Sequence, residues 1–300
     1  MDRALLGHLP IVLCVARRRG FAAAAAELGM SPSAVTHAVR MVEDRLGAPL
    51  FARTTRSVSL TEAGAQFIGR VQPALAEVDQ AVEGLAAARG EVTGLLRINT
   101  PRGALDLGLT PILAKLVHEH PRLIVEVHAQ DSFVDIVAQG FDAGVRLHEL
   151  IQQDMVTARL TGSFKVILVA SPDYLSARGR PNSIADLAQH NCIGLRLGSG
   201  ATFEWELLDG KKTVALKPSG TVLVNEATQA LSLALAGVGI AYVGEPPARR
   251  FVRDGSLEWL LPQTAVEHGG LYLYYPRRAS LAPKLRAFID VAKKTLKSAE

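Results

Sequence analysis

Within residues 5–47 the apolar positions return three times at a helical period. Leu5, Leu9, Val12, Leu13 and Ala16 fall on one face of a helix that stops at the polar run 17–20. Residues 21–28 make an Ala-rich second helix, ended by Gly29 where a helix C′ glycine belongs. Ser31 and Pro32 then offer an N-cap with proline at the first helical position, and Ala34, Val35, Ala38, Val39, Val42 and Leu46 carry a third amphipathic helix to Gly47. Helix, short turn, helix is the arrangement that places its second member in a major groove.

From 50 to 60 two short β-prone stretches flank Thr54-Thr55, with Arg53 and Arg56 on either side. This predicts a wing able to lay cations along a phosphate backbone or into a minor groove. Thr61 and Glu62 open a fourth helix, on which Ile68, Val71, Leu75, Val78, Val82 and Leu85 follow at spacings alternating between three and four. Such a heptad seam predicts pairing with a second copy of the same helix; the alternative is a helix lying on its own domain's core. Pro73 removes a backbone donor inside it and predicts a kink, and Gly84 and Gly90 mark a linker.

Beyond residue 94 strands alternate with helices. Strands are predicted at 95–100, 123–128, 143–147, 164–170, 192–196, 222–225, 240–243 and 271–275, and helices at 105–118, 133–139, 183–188, 227–236 and 282–296. Repeating βα units predict an α/β fold with a largely parallel sheet.

Composition narrows the function. A chain of 300 residues with 48% hydrophobic and 21% charged residues has the length of two or more cored domains and excludes disordered and fibrous classes. Cys14 and Cys192 stand too far apart for a disulfide framework, a zinc site or a redox pair, which suits a reducing cytoplasm. The uncharged stretch 227–244 carries Thr228, Gln229, Ser232 and three glycines, so it reads as buried helix and strand and not as a membrane span. Arg17-Arg18-Arg19 follows the first apolar run and does not precede it, the wrong order for a secretory signal, and the chain is expected to be soluble and unprocessed. Residues 1–60 hold eight arginines against four acids, whereas the other 25 basic residues meet 25 acidic ones, so all the excess positive charge is N-terminal. That asymmetry points to a polyanion, against the plainer reading of a solvated basic face.

The runs 22–28, Ser31-Pro32-Ser33-Ala34-Val35, Glu43-Asp44-Arg45-Leu46-Gly47, Leu50-Phe51-Ala52-Arg53 and Leu60-Thr61-Glu62-Ala63-Gly64 resemble the winged helix-turn-helix and linker helix of LysR-type transcriptional regulators. Later stretches, Phe141-Asp142-Ala143-Gly144-Val145-Arg146-Leu147, Val169-Ala170-Ser171-Pro172-Asp173-Tyr174-Leu175 and Gly237-Val238-Gly239-Ile240, resemble the effector domain of that family, in the branch that includes the CrgA-like regulators. The family usually shows Gly-Ser-Phe followed by Thr or Ser where this chain has Arg19-Gly20-Phe21-Ala22, so the second helix lacks a hydroxyl cap worth ~1 kcal/mol. The resemblance implies a winged domain at 1–60, a linker and dimerisation helix at 61–90, and a two-lobed effector domain at 91–300 similar to periplasmic binding proteins. Lobe 1 is then about 91–161 with 266–300, and lobe 2 about 162–265. It implies promoter DNA and a small-molecule effector as partners, assembly as a homodimer or homotetramer, and RNA polymerase as a further partner to be considered.

On the DNA side the candidates are Ser31, Pro32, Ser33, Thr36, His37 and Arg40 on the third helix, whose polar face has no acid before Glu43, with Arg53, Thr54, Thr55 and Arg56 from the wing. Ser31 acting only as a cap, and His37 touching phosphate and not a base, remain open alternatives. In the effector domain Thr100, Pro101 and Arg102 end a strand and start a helix, and Asp131, Ser132 and Phe133 repeat the arrangement; amides there could meet an anion, or the residues could simply cap. Arg146, Arg196, Asn225, Glu226, Val243 and Gly244 end strands facing the same cleft, with Arg146 alternatively paired to an acid such as Glu149. The expected effector is a small organic anion. Gly237 and Gly239 lack the third glycine of a dinucleotide fingerprint, His118 and His120 are not spaced for one metal, and no nucleophile-elbow, P-loop or metalloprotease motif occurs. No cofactor, metal or catalysis is therefore expected. The rivals are a bifunctional enzyme–repressor and an effector-independent architectural DNA binder.

Overall fold

The computed structural model describes residues 3–53, 58–89, 91–132, 134–151, 154–277 and 282–297. Contacts divide the chain into two units, Met1–Gly90 with Val137–Gly140, and Glu91–Ile136 with Phe141–Glu300.

In the first unit α1 (Arg3–Arg18), α2 (Phe21–Leu28) and α3 (Pro32–Leu46) are followed by β1 (Phe51–Arg53), β2 (Val58–Leu60) and α4 (Glu62–Ala87). The sequence signals act as read. Gly29 and Gly47 take left-handed backbone at φ +62° and +67° and stop α2 and α3, and the Ser31 hydroxyl accepts from the Ala34 amide at 3.2 Å. Gly20 leaves α2 without a side-chain cap, while Arg17 and Arg18 of α1 both pair with Glu27 of α2. Val12, Val15, Ala24, Val35, Val39, Val42 and Leu50 close the core, which Ile68 of α4 also enters. α4 continues across Pro73.

The second unit holds β3 (Gly94–Thr100), α5 (Thr110–Glu119), β4 (Leu123–Ala129), β5 (Ala143–Leu147), β6 (Val156–Arg159), β7 (Phe164–Ala170), α6 (Pro172–Arg178), β8 (Gly194–Leu195), β9 (Trp205–Asp209) and β10 (Lys212–Leu216). It continues with β11 (Leu223–Val224), α7 (Ala227–Leu235), β12 (Ala241–Gly244), α8 (Glu245–Arg253), β13 (Glu258–Leu260), β14 (Val266–His268), β15 (Leu271–Tyr275) and α9 (Pro283–Lys297). A five-stranded sheet of order β4-β3-β5-β15-β6 forms lobe 1, packed through Leu96, Ile98, Val145 and Leu273 on Ile112, Leu116 and Phe288. Lobe 2 is built around β7 and has its own cores, centred on Val169, Ala234 and Val243 and on Leu168, Trp205 and Ile240. Two crossing segments join the lobes and bond to each other: Leu160 donates to the Leu271 carbonyl at 2.8 Å, and the Leu271 amide donates to the Thr161 hydroxyl at 2.9 Å.

Several predicted elements are corrected. The helix expected at 105–118 is broken: a 3-10 turn at Arg102–Ala104 and a π turn at Leu105–Leu109 precede α5, because Gly108 turns the backbone to φ +124° and Pro111 opens a new helix. No helix forms among the described residues of 133–139, where Val134 and Ile136 are both buried, a two-residue spacing that a helix does not put on one face. The sheets are not largely parallel. β15 runs antiparallel to β5 and β6, and β7 is antiparallel to β12, β13 and β14. β12, α8 and β13 do form a βαβ unit, but its parallel strands admit β7 between them, so the βα grammar does not reveal who pairs with whom.

Candidate nucleic-acid interface and effector cleft

α3 separates its faces cleanly. Val35, Ala38, Val39 and Val42 are buried, while Ser31, Pro32, Ser33, His37 and Arg40 are exposed and Thr36 is half-buried. The Thr36 hydroxyl donates to the Pro32 carbonyl at 2.8 Å, and Ser31 and Ser33 share a hydrogen bond at 3.0 Å, so the first turn is preset before any partner arrives. Arg40 lies 3.9 Å from Asp44, a fully solvated pair that a phosphate replaces at little cost. The backbone of Arg53 lies in β1; its side chain and Thr54, Thr55 and Arg56 lie outside the described residues.

The base of the wing is tied down by residues whose role the sequence did not disclose. The Glu43 carboxylate accepts from the amides of Leu50 at 2.8 Å and Phe51 at 3.1 Å. Thr61 caps α4 by accepting from the Gly64 amide at 2.9 Å, and its hydroxyl donates to the Pro49 carbonyl at 2.7 Å. Any Cβ at Gly64 would strike the Leu50 backbone, so the Leu-Thr-Glu-Ala-Gly run owes its glycine to close approach. Further along α4 the apolar seam divides. Ile68 belongs to its own unit's core, Val71 and Leu75 are half-buried, and Val78, Val82 and Leu85 are exposed.

Between the lobes, Arg102 is the meeting point. Its Nη1 donates to Glu226 Oε1 at 3.2 Å across the cleft, its Nε lies 3.7 Å from Asp131 Oδ2, and its amide donates to Asp131 Oδ1 at 3.0 Å. The amide expected to be free for an anion is thus already bonded. Arg146, almost wholly buried, donates through Nη2 to Asn99 Oδ1 at 2.7 Å and to the carbonyls of Gln130 and Ser132, each at 3.1 Å, and through Nη1 to its neighbour Val145 at 2.7 Å. Burial pulls its guanidinium pKa down, opposed by Tyr274 and the charge of Asp131. Among the described residues Arg146 makes no salt bridge within 4 Å and serves to pin the loop that carries Asp131. Asn99, unforeseen as its anchor, had one signal: Arg97 and Asn99 alternate as polar positions along a strand whose other face is core.

The remaining candidates are spread. Thr100 is buried, with a hydroxyl that has no partner among the described residues; Pro101 is half-buried, and Ser132 and Asn225 are exposed. Phe133 lies outside the described residues. Arg196 donates to the Gly200 carbonyl of its own loop at 2.7 Å. Val243 is corrected to a core residue of lobe 2, and Gly244 to a packing position against Leu107 of lobe 1, where a side chain would collide. Among the described residues no group of His, Cys, Asp or Glu is placed to hold a metal ion, and no helix is long and apolar enough to cross a membrane.

Comparison with known proteins covers both units. Residues 6–65 match the family model for the bacterial regulatory helix-turn-helix protein, lysR family, and residues 89–297 match the LysR substrate binding domain. The chain is 37% identical over 279 residues to the HTH-type transcriptional regulator YcaN of Escherichia coli K12, covering 93% of this chain and 91% of that one. It is 33% identical over 291 residues to the E. coli K12 regulator PgrR, covering 97% of each. Among solved structures it is similar to CrgA of Neisseria meningitidis, with a TM-score of 0.62 at 28% identity over 97% of this chain and 98% of that one.

Proposed function

The chain belongs to the LysR family of transcriptional regulators, and from that premise we propose which residues carry each part of the work. Residues 1–60 read the operator. Ser33, His37 and Arg40 face base edges and phosphates, Pro32 and Thr36 shape the leading turn, Ser31 caps it, and Arg53, Thr54, Thr55 and Arg56 run along the backbone. The observation that carries this reading is the division of α3 into a buried apolar face and an exposed face without an acid before Glu43. The helix 61–90 pairs two copies through Val71, Leu75, Val78, Val82 and Leu85, giving a homodimer or a dimer of dimers. Residues 91–300 bind a small organic acid between the lobes, its carboxylate taking Arg102 from its present partners. The regulator acts on promoter DNA in the cytoplasm, with RNA polymerase as a further partner, and no catalytic step is assigned to it.

Fluorescence anisotropy on promoter DNA tests the reading. Arg53→Ala with Arg56→Ala should weaken binding to every sequence and reduce the slope of log K against log salt by about 0.9 per lost phosphate contact. His37→Ala or Ser33→Ala should instead change which sequence is preferred. An unchanged salt slope in the double arginine variant would remove the wing from the interface.

A further inference from the structure

We propose that the effector is a zwitterion carrying both an ammonium and a carboxylate group, and that it inserts between Arg102 and Glu226; this rests on the preceding assignment of the cleft between the lobes. The charges there alternate in a row. Arg146 pins the loop of Asp131 and is acted on by its charge, Asp131 neighbours Arg102, and Arg102 reaches Glu226 of the opposite lobe at 3.2 Å. Two cations and two anions leave the row neutral, with Arg102 the member that pairs directly with both acids. Arg102 and Glu226 are each 40% exposed at the side chain, so the last pair of the row is open to solvent while Arg146 is not.

A ligand must satisfy what it separates. A carboxylate without a cationic group would take Arg102 and leave Glu226 beside a second negative charge, and an amine without an anionic group would take Glu226 and leave Arg102 with Asp131 alone. A zwitterion separates them without loss, its carboxylate accepting from the Arg102 guanidinium and its ammonium donating to Glu226, so the alternation gains one member of each sign. One direct ion pair between lobes becomes two through the ligand, and the separation of the two side chains becomes the length of the ligand. The cleft thereby closes onto one spacing set by what it holds, a shift only as large as the ligand's preference for that spacing.

The test uses the full-length protein and matched probes: the common α-amino acids, their deaminated carboxylic acids and their decarboxylated amines, screened by thermal shift and measured by calorimetry on wild type, Glu226→Gln and Arg102→Gln. The expected result is an amino acid that binds wild type at least about tenfold more tightly than either truncated partner, the loss of one charged hydrogen bond. Glu226→Gln should weaken that amino acid by about tenfold yet leave its deaminated acid unchanged or tighter. A deaminated acid that binds wild type as tightly as its amino acid overturns the zwitterion and leaves the carboxylate reading standing. An amino acid indifferent to both substitutions overturns the site itself, and no binding by any amino acid of the panel overturns the proposal.

Discussion

The exposed end of α4 allows its proposed role to be weighed before it is tested. Val78, Val82 and Leu85 leave 58%, 63% and 68% of their surface accessible. Complete burial of such side chains is worth about 1.5–3 kcal/mol each, so covering what is exposed would contribute about 1–2 kcal/mol per side chain. Val78→Asp with Val82→Asp removes four valines from a two-copy seam, about 4–8 kcal/mol. At 1.4 kcal/mol per decade that is a weakening of helix pairing by about three to six orders of magnitude. The introduced carboxylates face their own copies without cationic partners, which adds to the loss. So that association through any other surface does not mask the result, the deciding readout is cooperativity: full-length variant and wild type are compared on DNA with one and with two half-sites, alongside sedimentation velocity over a concentration series. The variant should bind two half-sites as independent single sites. Cooperative binding and sedimentation indistinguishable from wild type would refute the pairing and return α4 to its own unit's surface.

Two further predictions concern stability. Gly64→Ala drives a methyl into the Leu50 backbone and should cost about 1–3 kcal/mol, whereas Gly69→Ala on the same helix meets nothing within 4 Å and should stabilise by up to about 1 kcal/mol; opposite movements of the melting temperature are expected, and a neutral Gly64→Ala would contradict the close approach. Burial pushes the Cys192 thiol up to about 11, opposed by a hydrogen bond from the Ser219 backbone, so a thiol reagent at pH 8 should label it only on unfolding. The unfolded thiol ionises first, so stability should fall as pH rises from about 9 to about 11, and rapid labelling of the folded protein would refute this.

What was legible in the sequence is what is written locally. Ser31-Pro32 and Gly47 bound α3 because a cap and a left-handed stop are decided within a few residues. The same signal was present and unread at Asp209-Gly210, where Gly210 at φ +60° turns β9 into β10. The strand ends that carry Arg102, Asp131 and Glu226 were readable, and the structure brings these side chains together, but the partners of the arginines were not: Arg102 and Glu226 are 124 residues apart, and Arg146 spends all but one of its donated bonds on backbone carbonyls that every sequence contains. The division of the seam on α4 was hidden for a related reason, since a heptad pattern does not distinguish Ile68, which packs inward, from Val82, which does not.

The grip of α4 on the wing decides where this chain can be cut and rejoined. Thr61, Gly64 and Ile68 make the opening turns of the helix part of the reading head: without them Pro49 loses a donor, Leu50 its cover and the core one wall. A head severed at residue 60 would keep its recognition helix and lose the floor beneath its wing. Exchange of operator specificity between relatives therefore belongs past Ile68 and before Val78, where the helix has stopped belonging to the head and begins to present its apolar side to something else.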